Sequence, residues 1–158
     1  MSGDTPYREQ LARALDWEDA HAGLKTAVAD IPVDDRGRQP AGLPYSPWQL
    51  LEHIRRTQHD ILEFCRNPDY KELRWPDDYW PSAPAPASTA DWDDSIRRCE
   101  EDRQALQRLA MDPEVDLTAP IPHGHGQTCL RELVLVIDHT AHHVGELIVV
   151  RRLLGIWK

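Results

Sequence analysis

Positive charge is in short supply in this chain. Eighteen Lys and Arg stand against 27 Asp and Glu, a formal net charge of -9. That argues against a nucleic-acid partner, which needs a basic patch, and against an anionic membrane surface. Cysteine is scarce as well. Cys65, Cys99 and Cys129 are far apart, odd in number and form no Cys-x-x-Cys pair. They point to reduced thiols in a cytoplasm, not to a disulfide framework or a cysteine zinc site. No strand-period run of useful length and no internal repeat is present. The start, Met1-Ser2-Gly3-Asp4, lacks the basic residues and apolar core of a signal peptide. The apolar run near the carboxyl end is broken by Asp138, three His and Glu146, so it does not read as a membrane span.

What is present is helical patterning. The 158 residues fit a single domain, 1–158, with room for a core. Tyr7, Leu11, Ala14, Trp17, His21, Leu24 and Val28 recur at three- and four-residue steps, which predicts a first helix over 7–30 with His21 on its inward stripe. There His21 is either a hydrogen-bonded core residue or the lining of a pocket. Ser46-Pro47 starts a second helix that runs to about Arg66, with His53 on the shoulder of its apolar face and His59 off it. A link rich in Pro and Trp follows over 67–90. Loops this long usually work or cover something, and its Trp75, Tyr79 and Trp80 are expected to be covered, across the bundle or at a subunit contact.

Ser88 caps a third helix that reaches about Met111. The run His123-Gly124-His125-Gly126 reads as a turn rather than a metal clip. Thr128 caps the last helix, which continues to about Leu154 and, being apolar around most of its circumference, is expected to be the most buried. Four helices with long connectors make an all-α bundle, and bundle cores are where such folds build metal sites.

His139 and His143 lie one turn apart on the last helix, and Glu146 falls on the same stripe. Two imidazoles and a carboxylate on a buried face are costly unless something satisfies them, and a divalent ion would. The zinc-peptidase pattern is absent, because Thr140 stands where that motif has Glu. A third imidazole, His53, can meet the pair from the second helix. Three nitrogens leave coordination positions open, as catalytic sites do. Imidazole suits several ions, Zn or Ni first and Fe, Mn or Cu after them. His142 points about 100° away from His143 and is assigned to packing, to the pocket or to the ligands' surroundings.

Certain runs carry a resemblance. They are Ser46-Pro47-Trp48-Gln49-Leu50-Leu51-Glu52-His53, the Trp75–Trp80 crossover, Pro122-His123-Gly124 with Gln127-Thr128, and Asp138-His139-x-x-x-His143-Val144-Gly145. In these the chain resembles the DinB/YfiT-like superfamily of small four-helix metalloproteins. The resemblance implies a bundle with long crossover connections, homodimers, and a divalent metal held by His53, His139 and His143. It also implies transferase or isomerase chemistry using a low-molecular-weight thiol such as mycothiol or bacillithiol. The family's x-Gly-Gln after the second His of the pair is here Val144-Gly145-Glu146. Glu146 is then a fourth ligand, a catalytic base on metal-bound water, a group that orients a ligand, or a helix-face residue paired with Arg or reaching solvent. The first reading is a cytoplasmic transferase acting on a small molecule. A hydrolase using metal-bound water comes second. A non-catalytic bundle that binds a metal or a small ligand in a stress response is the remaining class.

Overall fold

Three helix starts make the hydrogen bonds their sequences promise. Ser46 Oγ accepts the Gln49 N–H, the Gln49 side chain accepts the Ser46 N–H, and Pro47 takes the first helical position. Ser88 Oγ accepts from Asp91 N–H and Thr128 Oγ1 from Arg131 N–H. In the computed structural model, residues 5–158 are described, and the Met1-Ser2-Gly3-Asp4 start lies outside them. The helices are α1 (Thr5–Ala14), α2 (Leu24–Val28), α3 (Pro47–Arg66), α4 (Thr89–Met111) and α5 (Cys129–Leu153), with a 3-10 turn at Val33–Asp35. No strand occurs among the described residues; Pro120 and Thr128 form an isolated bridge.

The architecture is a helical bundle of four longer helices and one short one. Helix α3 packs against both α4 and α5, α1 lies on α4, and α2 lies on α5. Apolar residues fill it in two clusters. One gathers Leu50, Leu51, Ile54, Trp92, Val144 and Leu147, and the other Ile61, Leu62, Leu106, Leu117, Leu133 and Val136. Buried polar groups close the ends. The Arg8 guanidinium donates to the carbonyls of Ala110, Asp112 and Val115, which satisfies the carboxyl end of α4 and complements its dipole. Glu52, 5% exposed, accepts hydrogen bonds from Arg55, Arg56 and Ser95. Burial opposes its ionisation, yet those bonds and the Arg55 charge outweigh burial and bring its pKa down to about 2.

The first helix departs from its pattern. Instead of one helix over 7–30, the chain leaves α1 at Ala14 and resumes a helix only at Leu24. Asp16 is drawn to Arg103 of α4, and Glu18 Oε1 accepts both the Gly23 N–H and the Thr26 hydroxyl. These local partners compete with helix hydrogen bonds in a stretch that Asp and Gly already weaken. His21 is therefore exposed rather than on an inward stripe, and its Nδ1 lies 3.0 Å from the Ala22 carbonyl. Trp17, which the same stripe placed inside, is 51% exposed.

Two burial expectations also change. Helix α5 is not the most enclosed. It buries nine of its 25 residues, against nine of 20 for α3, and leaves Val134, Val149 and Leu153 largely in solvent. On length and composition α5 could cross a bilayer, but its inward side, Leu133, Val136, Val144 and Leu147, is core. The crossover is likewise only partly covered, since Trp75 is 70% exposed. The 123–126 segment is a turn: His123 Nε2 meets the Phe64 carbonyl at 2.8 Å, and Gly126 supplies a φ of +100°.

Candidate metal centre

Helices α3 and α5 lie side by side, so residues on their shared edge face one another. His53 comes from α3, and His139 and His143 come from successive turns of α5. Their rings gather with centroids 4.4–4.8 Å apart. One ligating nitrogen from each lies within 4.8 Å of the other two, a group that can hold a metal ion. His53 is 2% exposed and His143 9%. The shoulder position read for His53 is thus a fully buried one.

The outer nitrogens of two rings are pinned. His53 Nδ1 lies 3.1 Å from the Tyr79 carbonyl, which can only accept, so that nitrogen carries the proton and Nε2 carries the lone pair. His143 Nδ1 lies 2.6 Å from Glu146 Oε2, which fixes the same tautomer. His139 Nε2 sits 3.0 Å from His53 Nε2, so these two imidazoles share one proton.

Protonation is disfavoured at all three rings. Burial, against the Tyr79 carbonyl and reinforced by the His143 charge, lowers the His53 pKa to about 4. Burial and the two neighbouring imidazoles lower that of His139 to about 3. Burial also lowers that of His143, although Glu146 pulls the other way. Neutral imidazoles are the form a divalent ion requires, and such an ion would take the place of the proton between the Nε2 atoms of His53 and His139. One turn past His53 on the same face of α3, the buried Thr57 hydroxyl has no hydrogen-bond partner. The donor set and this orphaned hydroxyl both fit an ion that carries a further ligand.

The crossover builds the rest of the site. Trp80 stacks on His53 with centroids 3.8 Å apart and planes 8° apart, and Tyr45 stacks on the other side of Trp80 at 4.2 Å. Tyr79 is held by Asp60 of α3, whose two carboxylate oxygens accept from the Tyr79 and Tyr70 hydroxyls at 2.7 and 2.8 Å. Burial and the Asp60 charge push both phenols well above their ordinary pKa. Trp75 stands edge-on to His53 at 6.4 Å. The sequence marks the aromatic crossover as a cover. It does not mark the Tyr79 carbonyl, which is a backbone group, or Asp60, whose only sequence signal is a place two turns along the His53 stripe.

Glu146 sits behind His143, on the Nδ1 side of the ring, with its side chain 38% exposed. Its other oxygen lies 3.6 Å from Nε2 of the exposed His142, so one carboxylate spans two imidazoles. His142, His143 and Glu146 form a second, more open group of possible ligands. His21 belongs to neither group and instead lines a cavity beyond α3 and α5. His59 is outside too, on the α4 side, bonded to Asp102 at 3.0 Å.

No curated protein and no solved structure matches the chain significantly. The family model described as the DinB superfamily matches residues 16–147, a span that holds His53, His139, His143 and Glu146. A helical bundle with three imidazoles converging from α3 and α5 agrees with that match, and the chain belongs to the DinB superfamily.

Proposed function

We propose that this protein is a divalent-metal-dependent transferase acting on a small molecule through a low-molecular-weight thiol, with His53, His139 and His143 as the metal ligands. The observation that carries the reading is the pinning of Nδ1 on His53 and His143, which leaves Nε2 as the lone-pair nitrogen of both rings in a cluster whose ligand atoms lie within 4.8 Å of one another. Zn or Ni suits this neutral nitrogen set best. A bound ion of this kind lowers the pKa of a thiol or water and so supplies a nucleophile at neutral pH.

The chain's own residues have distinct tasks. The Tyr79 carbonyl and the Glu146 carboxylate each hold a proton on a ligand's outer nitrogen, which fixes the tautomer and the ring direction. The Trp80 indole covers one face of His53 and keeps water from it. Thr57 offers a hydroxyl on the His53 side of α3. Glu146, half-exposed and in contact with His142, is the group able to pass a proton between the site and solvent. The three cysteines are free, with Cys99 and Cys129 buried and Cys65 partly so, and packing explains them. The reading includes a cytoplasmic setting and a homodimer, supported by the free thiols and by the family.

Metal analysis followed by thiol-transfer assays tests the proposal. His53→Ala, His139→Ala and His143→Ala should each lose most of the metal affinity, while His59→Ala should keep it. Stoichiometric metal without thiol affinity would defeat the transferase, and ester or amide hydrolysis by that same protein would replace it with a hydrolase.

A further inference from the structure

We infer a second ligand site, separate from the imidazole cluster, that takes a neutral and largely apolar molecule carrying a hydroxyl or N–H donor. It is a cavity of about 760 Å³, within the size range of small-molecule sites. The helix break that overturns the 7–30 reading forms its cover, because the segment between α1 and α2 crosses it and presents Trp17 and His21. Its walls include Leu51 of α3, Ile96 and Cys99 of α4, and Val144 of α5.

Helix geometry separates the two sites. On α5 the cavity stripe, Thr140, Ala141 and Val144, is turned on average roughly 130° from His139 and His143. On α3, Leu51 and Gln58 are turned from His53 by a similar angle, about 150°. The α3–α5 pair is therefore a wall with the imidazoles on one side and the cavity on the other.

The polar groups define the ligand. Gln58 is 4% exposed and lines the cavity. Its Nε2 donates to the Cys99 carbonyl at 2.7 Å, which fixes the amide and leaves its oxygen without a donor among the described residues. Gln58 lines the cavity, so an O–H or N–H placed there can satisfy that oxygen. Thr140 contributes a hydroxyl to the same lining.

Charge does not recruit an ionic ligand. Arg103 is taken by Asp16 and Glu100, and Arg97 by Asp94 and Glu101. The remaining rim charges, Lys25 and Asp93, are of opposite sign. An alicyclic or aromatic alcohol, a phenol or an indole-like N–H compound meets all of these conditions.

The test is an amide NMR titration of the full chain with 2-naphthol and, in parallel, with its methyl ether. 2-Naphthol should bind saturably, with shifts confined to cavity-lining residues, and the ether should bind about 5- to 10-fold more weakly for want of one donor. Gln58→Leu should erase that difference. Ala141→Trp, which fills the space, should abolish binding of both probes while metal content stays unchanged. Equal affinity of the two probes for the unaltered protein, shifts scattered elsewhere, or binding that survives Ala141→Trp would each overturn the inference.

Discussion

Glu146 shows how one atom's place decides a residue's role. On the helix stripe it could equally have reached a metal, a water or a ligand's outer nitrogen. Its oxygen lies 2.6 Å from His143 Nδ1, so its first effect is on the direction and basicity of that ring. Glu146→Gln keeps a side chain of the same shape but removes the charge. Metal affinity should fall about 10- to 100-fold, as measured by competition with a chromophoric chelator. An unchanged affinity would show that the contact does not support the ring. Glu52, next to His53 on α3, tests the same physics without metal. Its carboxylate is buried beneath two arginines. Glu52→Gln leaves those guanidinium groups partly uncompensated, and urea denaturation should show a loss of about 3 kcal/mol. A loss below about 1 kcal/mol would mean that solvent already compensates them.

Among the elements, α3 organises the most. One face carries the core, a second carries His53, Thr57 and Asp60 toward the crossover, and a third meets α4 through Gln58 and His59. The His59–Asp102 contact yields a titration with a definite sign. The hydrogen bond to Asp102 outweighs burial and raises the His59 pKa above its usual 6.5. A raised folded-state pKa adds stability that is fully present below pH 6.5 and fades as pH climbs through the raised value. The pair is half-exposed, so screening keeps the effect small. NMR titration should give His59 a pKa above 6.5, and Asp102→Asn should return it toward that value. A wild-type pKa at or below 6.5 would refute the pairing. The crossover was legible in advance as something that covers, since Trp and Pro at that density are not left free. Which atoms it offers was not legible, because Tyr79 works through its backbone oxygen.

At the scale of the whole molecule, an ion held by the imidazole cluster would couple its binding to folding. The three imidazoles come from two helices, with His53 and His139 86 residues apart in sequence, so the unfolded chain does not gather them. An ion that binds only the folded form should stabilise it by about 2.7 kcal/mol at 100 times its dissociation constant. Thermal melts with and without Zn or Ni should show this as a higher midpoint, and His139→Ala should remove the increment. Equal shifts in both proteins would place the ion elsewhere. The bundle is also where local pattern and outcome part. The 7–30 stripe was a sound amphipathic pattern, yet Arg103 on α4 and the Glu18 contacts divide it and form a cavity's cover from its middle. Helix α5 reads as the most apolar helix, but as an outer member of the bundle it leaves Val134, Val149 and Leu153 wet.

By itself the sequence determined the starts and lengths of α3, α4 and α5, because capping hydroxyls, an N1 proline and apolar spacing act within a few residues of the chain. It also determined which imidazoles share a face of α5, since the helical repeat alone sets that. The tertiary structure decided that His53 is buried against the pair, that Trp80 and the Tyr79 carbonyl brace it, and that the first helix breaks over a cavity. Those outcomes depend on contacts between segments tens of residues apart, whose energies no local pattern encodes.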